Sequence, residues 1–157
     1  ASRFWAILIG INEYASYPLC GCVPDVQLME KYLTEDLGIP NNCIQLLVGS
    51  EEHKSLDDPM CPSCAHIIGV LLSLSMNPEI TYEDNIIIYY SEHGSYYPYN
   101  TEEDAEPEYI ETLSPIDCDT LGKDGKYVPD ISDREFNTIL SLLSRAKGHR
   151  ITLILDC

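Results

Sequence analysis

Residues 85–95 read NIIIYYSEHGS. Ile86 to Tyr90 form an unbroken apolar and aromatic run that passes directly into Ser91, Glu92, His93 and Gly94. A short continuous apolar run bounded by turn residues is the pattern of a strand buried on both faces, as the strands of a parallel sheet are. Three further runs have the same character: FWAILIGI at 4–11, IQLLV at 44–48 and ITLIL at 151–155. Amphipathic stretches separate them. From Asp25 to Leu37, the residues Val26, Met29, Leu33 and Leu37 fall at helical spacing, and Gly38 followed by Pro40 makes a helix stop. Cys64 to Leu74 is a second expected helix. Asp133 to Ala146 is a third, with Phe136, Ile139, Leu140 and Leu143 on one stripe, Ser132 as cap and Gly148 past the end. Strand and helix in alternation predict an α/β fold with a mostly parallel sheet and helices on both faces.

At 157 residues the chain fits one domain, 1–157, long enough to hide roughly two thirds of its unfolded surface. Hydrophobic residues make up 45% and charged residues 22%, a globular balance rather than a disordered one. The 26 acidic residues against 9 Lys plus Arg give a net charge of −17, which repels phosphate backbones and anionic lipid and attracts basic partners. Nucleic acid and membrane are therefore not expected partners, although the same acidity also serves plain solubility. The opening run of eight apolar residues is too short to cross a bilayer and reads as a strand. Seven cysteines in a chain of this size, with no signal peptide read before them, predict mostly free thiols in a reducing, cytoplasmic compartment.

Two segments break the alternation. YYPYNTEEDAEPE at 96–108 is acidic, carries two prolines and is expected to be a mobile surface loop beside the histidine. CDTLGKDGKYVPD at 118–130 reads as a turn centred on Lys123, Asp124 and Gly125, the tip of a small hairpin.

In an open parallel sheet, chemistry collects beyond the carboxyl ends of the strands, where adjacent loops diverge. After 85–90 comes SEHGS, and after 151–155 comes DC, so a histidine and a cysteine are expected at one edge of one sheet, on neighbouring strands. Imidazole can take the proton of a thiol or pair with the thiolate, and the backbone N–H of Gly94 could serve an oxyanion. Taken alone, a His-Gly pair after a strand more often marks a structural histidine, and the pairing with a second strand end that carries a cysteine favours the functional reading.

FWAILIGINEY, LCGCVPDVQLMEKYLTEDLGIP, NIIIYYSEHGS, LSPID and ITLILDC resemble, in order and spacing, the caspase-like cysteine peptidases, closest to the metacaspases and their fungal relatives. The resemblance covers nearly the whole chain and implies a caspase-hemoglobinase-like three-layer α/β sandwich, C-terminally truncated to the large-subunit portion. It implies an endopeptidase of the kind linked to apoptosis, with His93 as general acid and base and Gly94 in the oxyanion hole. It also implies an acidic pocket for the arginine or lysine before the cut, built from Asp25, Ser91 and Asp156. Two carboxylates suit a guanidinium or ammonium group, whereas a pocket for aspartate would need arginines. Apart from the resemblance, Asp25 reads equally as a helix-capping residue and Asp156 as the end of a strand.

The chain departs from the family pattern twice. Aligned from Asp156, Cys157 stands one position before the family's nucleophile, so the nucleophile is expected at or just beyond the C-terminus and the chain by itself is expected to show little peptidase activity. The glycine usual before the histidine is Glu92 here. That carboxylate bears on the site if it points inward and matters little if it faces solvent.

The remaining candidates are weaker. CPSC at 61–64 has the spacing of a zinc or redox pair but lacks a matching second pair, so no metal site is assigned. His53, His66 and His149 are expected at the surface, Tyr89 and Tyr90 in the core, and Tyr96, Tyr97 and Tyr99 at a groove. No cofactor is required. Calcium activation stays open, and the acidic run Glu102 to Asp104 reads more simply as a solvated loop. The expected partners are peptides or proteins with basic residues. The competing function is a catalytically inactive caspase-like module that binds or regulates, and a nucleotide-binding domain is disfavoured because no Gly-rich phosphate loop follows the first strand. Oligomeric state is not legible.

Overall fold

A computed structural model of the chain describes residues 3–99 and 108–156. Four strands form a parallel sheet: β1 (Phe4–Ile11), β2 (Ile44–Gly49), β3 (Asn85–Ser91) and β7 (Ile151–Asp156), in the order β2-β1-β3-β7. The four apolar runs of the sequence are these four strands, but the expected burial on both faces does not hold for β7, which stands at the sheet's edge with Ile154 and Leu155 exposed. Side chains alternate across the sheet. Trp5, Ile7 and Ile9 of β1 pack with Ile86, Ile88 and Tyr90 of β3 on one face, while Ala6, Leu8 and Tyr89 turn to the other.

Each face is covered, as a parallel sheet requires. Helix α1 (Cys22–Lys31) brings Val23 and Val26 to one side. Helices α2 (Cys64–Met76) and α3 (Asp133–Lys147) bring Ile67, Leu71, Phe136, Ile139 and Leu143 to the other. The result is the expected three-layer sandwich. Helix α3 begins in a reciprocal capping box between Ser132 and Glu135 and ends at Gly148, whose φ of 96° is open to glycine.

Three expectations need correction. Helix α1 starts three residues before Asp25 and passes after Lys31 into a π-helical turn, Tyr32–Asp36, in which the Leu37 N–H bonds the Tyr32 carbonyl. The wider turn rotates the following residue off the apolar stripe, so Leu33 is buried but Leu37 is exposed. The segment 96–108 is not a loop from its start, because Tyr96 to Pro98 belong to β4 (Gly94–Pro98). This strand pairs antiparallel with β5 (Tyr109–Leu113), which pairs in turn with the short β6 (Ile131–Ser132) in a second sheet. Pro98 is tolerated as the last residue of an edge strand, where no ladder N–H is needed. Residues 100–107, including Glu102 to Asp104, lie outside the described residues. The 118–130 segment does turn at Gly125, with φ 77° and a bridge between Leu121 and Tyr127.

The connections leaving β1 and β3 go to opposite faces. From β1 the chain runs into α1 and returns as β2, and from β3 it runs through β4, β5 and β6 to α3 on the other face. The carboxyl ends of β1 and β3 are therefore a switch point of the sheet, where a crevice opens. Among the described residues, no helix is long and apolar enough to cross a membrane.

Candidate active site

A cleft of about 420 Å³ lies at that switch point, lined by the 19–25 stretch after β1, the 91–94 stretch after β3, and Asp156 at the end of β7. Asp25, Ser91, His93, Gly94 and Asp156 all contribute to its wall. The sheet register explains the convergence: Ser91 pairs with both Gly10 of β1 and Asp156 of β7, which sets the three strand ends level. Helix α1 is brought to the same place by Asn12, whose side-chain oxygen accepts the Val23 N–H at 3.1 Å and so satisfies a free amide at the helix start.

The cleft carries a negative field. The Cys22 thiol is pushed up by burial, and the Asp25 and Asp156 carboxylates add to the rise. The Tyr89 hydroxyl, 3.3 Å from Asp156 Oδ2, is raised by burial too, and Asp156 and Asp25 contribute. Both groups thus stand within the influence of Asp25 and Asp156.

His93 is fixed from two sides. Its Nε2 lies 2.7 Å from the Tyr17 carbonyl oxygen. A carbonyl only accepts, so in the neutral ring Nε2 carries the hydrogen and Nδ1 is the basic nitrogen. The Tyr14 ring packs on the imidazole with centroids 4.9 Å apart and planes tilted 53°. Tyr17 holds a φ of 60°, which is sparsely populated outside glycine, and its side chain stands 84% exposed. Its carbonyl, not its ring, is what this backbone conformation delivers.

Glu92 belongs to the cleft wall but is shut off from solvent. It is only 2% exposed, and burial pushes its carboxyl up to about 9 against the opposing hydrogen bonds from Tyr14 and Ser114. Tyr14 Oη lies 2.6 Å from Glu92 Oε2, and the Ser114 N–H points at both carboxyl oxygens, at 3.1 and 3.2 Å.

Cys157 lies outside the described residues. Asp156 ends β7 beside the end of β3, the strand that leads into His93. Cys61 and Cys64 are raised to about 11 and Cys118 to about 12, by burial first and carboxylates next, so none of them is an activated thiol. Of the other histidines, His53 bonds Asp58 at 2.9 Å and His66 bonds the Cys61 carbonyl at 2.8 Å, both half-buried, while His149 reaches Ser144 at 2.7 Å. Among the described residues, no three His, Cys, Asp or Glu side chains group to hold a metal ion. Asn12, Tyr14, Tyr17 and Cys22 were not singled out by sequence. Asn12 and Tyr14 had a signal, since they directly follow a buried strand at a carboxyl end, but Tyr17 acts through a backbone atom that no residue type announces.

The family model of the metacaspase, peptidase C14 domain matches residues 5–157. Metacaspase-4 of Arabidopsis thaliana is 30% identical over 156 residues, covering 96% of this chain and 32% of that protein. Metacaspase-1A of Aspergillus fumigatus is 30% identical over 153 residues, covering 96% of this chain and 33% of its own. The chain thus spans about a third of these relatives. Among solved structures, protein GSU0716 of Geobacter sulfurreducens shares the fold at a TM-score of 0.68 with 19% identity, over 98% of this chain and 50% of that one. With the motif order, the three-layer sheet and the family match along nearly its whole length in agreement, the chain belongs to the metacaspase, peptidase C14 domain family.

Proposed function

We propose that this chain is the His93-bearing part of a cysteine endopeptidase that cuts after arginine or lysine. The observation that carries the reading is the meeting of Asp25, Ser91, His93, Gly94 and Asp156 in one cleft at the sheet's switch point. The basic side chain of the substrate enters between Asp25 and Asp156, where charge-assisted hydrogen bonds favour a guanidinium or ammonium. His93 Nδ1 takes the proton of a thiol delivered at the end of β7, at Cys157 or the residue after it, and the thiolate attacks the scissile carbonyl carbon. The carbonyl electron pair moves onto oxygen, which the Gly94 N–H faces. As the oxyanion collapses, the C–N bond breaks and His93 returns the proton to the leaving amine. Water then cleaves the thioester with His93 again as base. The Tyr17 carbonyl holds the ring in the tautomer that this sequence requires.

The test uses a chain spanning the full family length, because the present one covers only about a third of its relatives. Peptides with Arg, Lys, Gln or Asp before a reporter group are compared. Cleavage after Arg and Lys is expected, abolished by His93→Ala and reduced about 10- to 100-fold by Asp25→Asn, the loss of one charged hydrogen bond. Absence of cleavage in every peptide would favour a binding module. Strong cleavage by the 157-residue chain, lost in Cys157→Ala, would make Cys157 itself the nucleophile.

A further inference from the structure

Tyr14, Glu92 and Ser114 present a proton-counting problem. The Tyr14 hydroxyl has two acceptors in short range, Glu92 Oε2 at 2.6 Å and the Ser114 carbonyl at 2.8 Å, but it has one hydrogen to give. If Glu92 were ionised, one of these two buried contacts would be a pair of acceptors facing each other. If Glu92 carries a proton, every contact is satisfied. Its Oε2–H then donates to the Tyr14 oxygen, Tyr14 donates to the Ser114 carbonyl, and the Ser114 N–H donates to Glu92 Oε1, closing a ring. The surroundings favour the neutral form. The ionisable groups facing this ring are Tyr14 from the loop after β1, Cys22 from α1, Tyr90 and His93 from β3 and its end, and Cys118 and Asp130 from the β5–β6 connection. None of these is a lysine or arginine, and Glu92 makes no salt bridge among the described residues.

We propose that Glu92 is kept as a neutral carboxylic acid and serves as a positioning residue that, through Tyr14, sets the orientation of the His93 ring. The link is direct. The Tyr14 ring, anchored at its hydroxyl by Glu92, packs on His93, and the same loop supplies the Tyr17 carbonyl to Nε2. Glu92 also ties that loop to the strands, since its N–H donates to the Asp156 carbonyl at 3.3 Å and Ser114 begins just past β5. Its carboxyl thus clamps the β1–α1 loop onto the two strand ends that flank the cleft. The importance of His93 orientation rests on the peptidase reading, but the clamp itself does not.

The test is NMR of the 157-residue chain labelled with ¹⁵N and ¹³C, read at the Glu92 carboxyl carbon and the His93 ring nitrogens. At pH 7 the Glu92 carboxyl is expected to show the protonated shift, and His93 the single tautomer with hydrogen on Nε2. Raising the pH through about 9, where Glu92 ionises, should move the His93 and Tyr14 ring resonances together. Glu92→Gln reproduces the ring of hydrogen bonds, with its amide N–H donating to Tyr14, and should hold the His93 signals at their pH 7 positions throughout. Tyr14→Phe keeps the aromatic contact, removes the anchor, and should lose the single-tautomer signature. An ionised Glu92 at pH 7, or His93 signals that Tyr14→Phe leaves unmoved, would overturn the proposal. Neither readout needs a substrate or nucleophile, so failure of the peptidase reading and failure of this one are separable.

Discussion

A buried acid that stays protonated leaves a mark on stability as well as on spectra. The Glu92 carboxyl is raised in the folded chain to about 9, while an unfolded chain leaves it near the usual 4.5. Between those values the folded state binds the extra proton, so raising the pH favours the unfolded state, and the penalty is complete once the pH passes the folded value. Below about 4.5 both states are protonated and Glu92 costs nothing. Glutamine cannot ionise, so Glu92→Gln should match the parent at pH 4.5 and gain on it as pH rises to 9, by at most about 1.4 kcal/mol per pH unit. Urea melts of both proteins at pH 5 and pH 8 check this. An equal difference at both values would mean that Glu92 is ionised throughout. The residue itself stood out in the sequence, flanked by a buried strand and the key histidine. Its protonation did not, because it depends on Tyr14 and Ser114, 78 and 22 residues away in the chain.

Between elements, β1 passes close under the start of α1 at Gly10. A Cβ placed there would stand 2.6 Å from Val26 Cγ2 and 2.7 Å from the Cys22 carbonyl oxygen, inside contact distance of a helix backbone that cannot yield locally. Gly10→Ala should therefore lift the first turn of α1, which carries Cys22 and Asp25, at a cost of about 1–3 kcal/mol. Its cleavage of basic peptides should suffer in KM more than in kcat, since the pocket moves while His93 does not. A thermal melt with Michaelis kinetics on the full-length chain tests both halves, and unchanged stability would refute the packing argument. At this scale the sequence was most informative. The four strands could be read because each is a continuous apolar run, although only β1 and β3 are buried along most of their length while β7 leaves Ile154 and Leu155 exposed at the sheet's edge, and helix α3 could be read because Ser132 and Gly148 mark its ends. Strands β4, β5 and β6 were not read: β4 is exposed along its whole length and β5 alternates only briefly, so neither makes the continuous run. The π-turn after Lys31 was hidden for a related reason, as one extra residue per turn leaves composition unchanged.

For the whole molecule, the proposed basic substrate would meet two electrostatic effects that differ in range. The net charge of −17 sets a field that reaches solvent and steers cations toward the protein, but salt screens it over about 8 Å at physiological ionic strength. In the proposed pocket the half-buried Asp25 and the exposed Asp156 would act on the substrate at contact, over a distance short against that screening length. The proposed specificity therefore separates under salt. For the full-length chain, raising ionic strength from about 10 to 150 mM should lower kcat/KM for a peptide with several basic residues severalfold, while a peptide with a single arginine before the cut loses much less. Asp25→Asn should behave in the opposite way, cutting the preference for arginine over glutamine by about 10- to 100-fold in both peptides and leaving the salt slope nearly unchanged, because it removes one charge of many from the distant field. Kinetics for the two peptides, the parent and the variant at both ionic strengths distinguish the effects. If Asp25→Asn flattened the salt slope without altering the arginine preference, Asp25 would be part of the general acidic surface and the pocket assignment would fall.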